Sequence, residues 1–152
     1  MQRGKAFFVV GHKHWGKSKT LKALTDNRRV GWFEINAAWF FIRRMSNDDI
    51  PDEFYELLNN LEPVKKPFVI IALCPTFEDQ EKCEELLNAL KDFKRKYELH
   101  FFVLQHAFLD DRQISEKELA HLKDFGTVQK LSRKADKEER GRAFEKFILA
   151  NI

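Results

Sequence analysis

The sequence predicts a three-layer α/β domain built on a mostly parallel sheet with one antiparallel edge hairpin. Three observations carry that expectation. Ala6 to Val10, Phe68 to Leu73 and Leu99 to Leu104 are apolar runs of the kind buried on both faces of a parallel sheet. Amphipathic stretches separate those runs, and a strand, helix, strand order makes neighbouring strands parallel. Val30 to Ile35 and Trp39 to Arg43 are separated by only Asn36-Ala37-Ala38. That linker is too short for a crossover, so this pair is an antiparallel hairpin and supplies the edge.

The elements follow in order. After the first strand, Ser18 to Thr25 places Leu21 and Leu24 at helical spacing. After the hairpin, Phe54, Leu57, Leu58 and Leu61 mark one helix face, opened by Pro51. Phe68 to Leu73 is closed by Pro75. Cys83, Leu86, Leu87, Leu90, Phe93 and Tyr97 form the clearest helical stripe in the chain. Ser115 with Glu118 reads as a capping box opening a helix that carries Leu119 and Leu122. Gly126 stops that helix. Gly126 to Leu131 is a last strand, and residues 136–150 form a closing helix with Phe144, Phe147 and Ile148.

Composition bounds the function. A chain of 152 residues fits one domain, taken as 1–152. With 43% hydrophobic and 34% charged residues it is neither disordered nor low-complexity. No apolar run approaches the roughly 18 residues of a membrane span, so no membrane role is expected. The first ten residues begin with charge and turn into a strand, unlike a secretory signal. Cys74 and Cys83 match neither a disulfide framework nor a zinc spacing. They read as two reduced thiols in a cytoplasmic protein. The net charge of +3 is uneven: residues 1–31 carry eight Lys/Arg against one acid. An anionic partner near the N-terminus follows from that. No base-reading motif accompanies it, so nucleic acid is not the expected partner.

One motif carries chemistry. Gly11-His12-Lys13-His14-Trp15-Gly16-Lys17-Ser18 is G-x-x-x-x-G-K-S, leaving a buried strand and entering a helix. A chance match in a chain this long is on the order of one percent. The glycines let the backbone turn so that loop N–H groups face a phosphate chain, and the helix start adds partial positive charge. Lys17 is the candidate catalytic residue, a mobile charge for the β- and γ-phosphates, and Ser18 offers a hydroxyl to Mg²⁺. Gly11, His12, Lys13, His14, Trp15, Gly16, Lys17, Ser18 and Lys19 are the candidate nucleotide-binding residues. At the variable positions, Trp15 or a histidine is a candidate cover for the nucleotide or contact for a partner, or lies simply on the surface.

In these eight residues the chain resembles the P-loop NTPase superfamily, and its strand–helix order is similar over nearly the whole length. The resemblance implies a nucleoside triphosphate with magnesium. It does not choose between an NTPase cleaving the β–γ bond, a small nucleotide or metabolite kinase, and a non-catalytic binding module. A second acid for Mg²⁺ is expected beside the first strand. Phe68 to Leu73, however, ends in Cys74-Pro75-Thr76, with Glu78 and Asp79 just beyond. The layout after the hairpin is similar to that of Ras-like GTPases, where an acid follows the second hairpin strand. That assigns Asp48 or Asp49 to the metal, against the alternative that Asp49 caps the following helix.

The Ras-like similarity stops there. The Asn/Thr-Lys-x-Asp guanine motif is absent, and the region reads Leu104-Gln105-His106-Ala107-Phe108-Leu109-Asp110. Asp26 to Arg29 spans at most roughly 14 Å, too little to wrap a γ-phosphate. ATP is therefore the default ligand, with GTP the alternative. A kinase would use Arg133, Arg140 and Arg142 as clamps on the transferred phosphate. Glu34 and His106 are candidates to orient water, and Trp32 and Trp39 are a candidate protein-docking pair on the hairpin.

Overall fold

The computed structural model describes residues 2–27, 30–107 and 110–152. Among them run β1 (Gly4–Val10), α1 (Lys17–Thr25), β2 (Val30–Ile35), β3 (Ala38–Arg43), α2 (Pro51–Asn60), β4 (Phe68–Leu73), α3 (Cys83–Phe93), β5 (Tyr97–Leu104), α4 (Glu116–Phe125), β6 (Gly126–Leu131) and α5 (Lys137–Asn151). A short 3₁₀ turn at Thr76–Glu78 follows β4. The strands form one sheet in the order β2-β3-β4-β1-β5-β6. All neighbours are parallel except β2 and β3. The expected architecture is therefore present, with β2 as the antiparallel edge.

β1 alternates its side chains between the two layers. Ala6, Phe8 and Val10 join the apolar cluster under α2, α3 and α4. Phe7 and Val9 join the one under α1 and α5. A strand buried on both faces needs no polar alternation, which is why this run is apolar throughout. β1 is flanked by β4 and β5, so the loop leaving it emerges at the centre of the sheet edge.

Several boundaries differ from expectation, each for a local reason. Tyr97 does not extend the α3 stripe. The chain leaves the helix after Phe93, and Tyr97 starts β5 and stacks back on Phe93 at 4.6 Å. The hairpin turn is two residues, not three: Asn36 and Ala37 both have positive φ (49° and 66°), and Ala38 already belongs to β3. That is the backbone of a type I′ turn, whose twist matches the flanking strands. Gly126 is not a left-handed helix stop. Its backbone is extended and starts β6 directly, and a Cβ there would lie 2.0 Å from the Leu99 carbonyl oxygen. Close strand approach, not turn geometry, is what requires glycine.

Candidate functional site

The segment from Gly11 to Gly16 links the end of β1 to the start of α1. His14 and Gly16 adopt left-handed backbone (φ 68° and 91°). Such alternation turns peptide N–H groups toward one concave side, a geometry suited to an anion. Gly16 needs its missing side chain for that conformation. Gly11 does not: an added Cβ would only touch Trp15, Lys17 and Leu104 at 3.4–3.6 Å.

Lys17 is 8% exposed. Its ammonium donates to the carbonyl oxygens of Gly11 (2.6 Å) and His12 (3.0 Å). Burial pushes its pKa below the usual lysine value, while the fields of Cys74, Asp49 and Asp48 oppose that shift. Ser18 and Lys19 are exposed on the first turn of α1.

The segment after β3 forms the opposite wall. Asp49 is not the cap of α2: that position falls to Ile50, which makes no side-chain cap bond. The Asp49 carboxylate instead accepts from the Ser46 N–H (3.0 Å) and hydroxyl (3.2 Å). Asp48 lies 3.5 Å from the Lys82 ammonium. Asn47, between Ser46 and Asp48, is buried and holds the residue that follows β4. Its side-chain NH₂ donates to the Cys74 carbonyl (2.9 Å) and its oxygen accepts from the Cys74 N–H (2.7 Å). That two-way amide clasp fixes the 44–49 segment against the parallel strand beside β1. No local pattern announces it, because the partner is 27 residues away.

Between the two walls lies a pocket of about 540 Å³. Lys13, His14, Gly16, Lys17, Ser18 and Lys19 line one side; Arg44, Ser46, Asp48 and Asp49 line the other. The structure thus brings together the candidate cation-bearing loop residues and the candidate metal acids. Among the described residues no three His, Cys, Asp or Glu groups form a metal cluster. The oxygens of Ser18, Asp48 and Asp49 are hard donors of the type Mg²⁺ takes, together with phosphate and water oxygens.

His12 and Trp15 turn away from this pocket. The Trp15 ring is 2% exposed and lies in the core cluster under α2, α3 and α4, edge-on to His12 at 5.0 Å. It is not a lid. His12 Nε2 sits 2.7 Å from a Glu118 carboxylate oxygen, and Nδ1 lies 3.8 Å from Cys74 Sγ. Burial alone would lower the His12 pKa. The hydrogen bonds to Cys74 and Glu118, with their charges, override it and raise the value to about 9. Burial would raise the Glu118 pKa, but bonds from His12 and Ser115 hold it below the usual carboxylate range. Glu118 completes the expected capping box with Ser115 and serves His12 as well.

The three arginines expected of a kinase clamp do not meet at the pocket. Arg140 is 1% exposed on α5 and donates to the carbonyl oxygens of Trp15 and, at 3.2 Å, His106. Arg133 pairs with Glu139, and with Arg142 it lines a separate groove on the β6 side. Arg140 is a strut beneath the loop between β1 and α1.

Neither candidate for orienting water reaches the pocket. Glu34 pairs in register with Trp39, before the stretch of β3 that meets β4, and so lies toward the opposite end of the sheet. His106 follows β5, and its Nε2 faces the Ser132 carbonyl at 2.8 Å. The Asp79 carboxylate accepts the N–H groups of Glu81 and Lys82 (2.9 and 3.1 Å). It borders, with Glu78, a second pocket rather than the first. Phe108 and Leu109, in the region read for a guanine motif, fall outside the described residues, as do Arg28 and Arg29. Trp32 and Trp39 are 40% and 55% exposed on one face of the hairpin.

No helix among the described residues is long and apolar enough to cross a membrane. No family model matches the chain, and no curated protein matches it. Among solved structures, the FeoB G-domain from Methanococcus jannaschii is similar. It is 20% identical over 97% of this chain and 99% of that chain, with a TM-score of 0.45.

Proposed function

We propose that this domain binds a magnesium-bound nucleoside triphosphate, ATP by default, in the pocket between the phosphate loop and the 44–49 segment. We further propose that it slowly hydrolyses the β–γ bond. The observation that carries this reading is the convergence of Lys17 and Ser18 with Asp48 and Asp49 around one pocket of about 540 Å³. The loop N–H groups and the start of α1 would hold the phosphates. Lys17 would exchange the carbonyls of Gly11 and His12 for a phosphate oxygen, a stronger, charged acceptor. Ser18 with Asp48 or Asp49 would hold Mg²⁺, which supplies charge neutralisation at the phosphates when bound. Asp48 would leave Lys82, an exposed pair that costs little to break. Water is the proposed acceptor, since the arginines of a kinase clamp lie elsewhere.

A second reading, binding without turnover, is favoured by Cys74. It ends the strand next to β1, where a metal-holding acid was expected. Calorimetric titration with ATP and GTP, with and without Mg²⁺, paired with phosphate release, separates the two. Magnesium-dependent binding with release supports the hydrolase. Binding without release moves the protein to the second reading. No binding by the wild type, or unchanged affinity in Lys17→Ala, overturns both.

A further inference from the structure

The second pocket, of about 590 Å³, lies beside the first and has a different chemistry. Cys74, His12 and Glu118 all line it. They form a chain: Sγ is 3.8 Å from His12 Nδ1, and His12 Nε2 is 2.7 Å from the Glu118 carboxylate. Glu118 is itself fixed by the Ser115 N–H at 2.9 Å. A carboxylate that orients an imidazole, which in turn faces a sulfur, is the arrangement that activates a thiol. Two further residues of this pocket carry buried polar atoms with no hydrogen-bond partner among the described residues: Trp15 Nε1 and Thr76 Oγ1. Both can donate a hydrogen bond, and both residues are more than nine-tenths buried. Orphaned buried donors are costly, and a ligand oxygen would satisfy them.

We propose that this pocket is a hydroperoxide-reactive thiol site in which Cys74 is the nucleophile and His12, held by Glu118, is its proton partner. The assignment goes beyond the triphosphate reading and does not rest on it. Cys74 Sγ gives its proton to His12 Nδ1 and attacks one peroxide oxygen. An S–O bond forms and the O–O bond breaks, so sulfur is oxidised by two electrons and the peroxide is reduced. The departing hydroxide takes the proton of the His12 imidazolium and leaves as water. Cys74 becomes a sulfenic acid, which an added thiol returns to the reduced state. The raised His12 pKa fits a proton resident on the ring at neutral pH. Cys74 is buried, so the site admits a reagent the size of water and disfavours bulky thiol reagents. The backbone of Cys74 is clasped by Asn47, and its sulfur faces His12.

Cys83 is the internal control, being half-buried and bonded only weakly, to the Gln80 carbonyl at 3.9 Å. The reduced, folded protein is exposed to hydrogen peroxide for set times and then unfolded in denaturant containing dimedone, so that the trap need not enter the folded site, and each cysteine is followed by peptide mass spectrometry. Cys74 is expected to trap dimedone at least about tenfold faster than Cys83, although it is the less exposed thiol. His12→Gln, and independently Glu118→Gln, should remove that lead while leaving the Cys83 rate unchanged. Equal or slower reaction at Cys74 in the wild type overturns the proposal without any variant. So does a Cys74 lead that persists in both folded variants. Circular dichroism checks that each variant is folded. Because the readout is labelling, it stands whether or not the protein binds a triphosphate.

Discussion

Arg140→Met tests whether α5 supports the loop between β1 and α1 or serves a transferred phosphate. The methionine keeps the length and apolar stem of the side chain but removes the guanidinium. Two carbonyl oxygens, of Trp15 and His106, then lose a charged donor. Hydrogen bonds to charged groups contribute about 1.5–3 kcal/mol each, so the gross loss is roughly 3–6 kcal/mol. Part of this is returned, because a buried guanidinium no longer has to be desolvated. A net destabilisation of about 2–4 kcal/mol remains, equivalent to a fall in Tm of roughly 4–16 °C for a domain this size. Urea unfolding followed by circular dichroism reads it as a lower midpoint at unchanged slope. Arg142→Ala, in the separate groove, should change stability by less than about 0.5 kcal/mol. A destabilisation below about 0.5 kcal/mol in Arg140→Met would refute the strut. A stable variant that binds triphosphate normally but no longer turns it over would restore Arg140 to a clamp.

Other expectations follow from the same geometry. Asp48→Asn and Asp49→Asn, made separately, should identify the metal acid by a loss of Mg²⁺ dependence in one of them, measured by triphosphate titration. Loss in neither would remove both acids from the proposed metal site. Ala37→Gly relieves a left-handed alanine in the hairpin turn and should stabilise by about 1 kcal/mol, raising Tm by roughly 2–4 °C in calorimetry. Gly126→Ala drives a Cβ into the Leu99 carbonyl and should cost about 3 kcal/mol or more, read as a lower urea midpoint. The His12 and Glu118 pair sets a pH dependence. His12 rises from 6.5 to about 9 on folding, so its contribution is complete below pH 6.5 and fades through pH 9. Glu118 is lowered, so its contribution is complete above its ordinary value of 4.5 and fades as pH falls below it. Urea midpoints of the wild type should therefore decline between pH 6.5 and 9, and His12→Gln should flatten that part of the profile.

The parts of this molecule that were legible in the sequence are those set by local pattern. The three apolar strands, the glycines of the loop and the Ser115–Glu118 box each announce themselves within a few residues. Tyr97 misled because its four-residue spacing from Phe93 suits a helix, while its true packing onto Phe93 comes from the chain doubling back. The supports of the site were illegible for a physical reason. Asn47, Glu118 and Arg140 are ordinary polar residues on their own segments, and acquire their roles from partners 27, 106 and 125 positions away. Trp15 was ambiguous in the same way: only the folded chain shows that the loop keeps its largest side chain in the core.

The central position of β1 has a consequence for synthesis. The strand and its loop are made early, yet Lys5 waits for Phe68, Gly4 waits for Tyr97, and the Trp15 carbonyl waits for Arg140. At roughly 5–20 residues per second, that last wait is about 6–25 s. Until β4 and β5 follow, the nascent chain carries an apolar strand with no neighbour to pair with, and until α5 follows it carries a loop with no strut. The loop gains its strut only once α5 has docked, so its supported form depends on a contact between residues 125 positions apart.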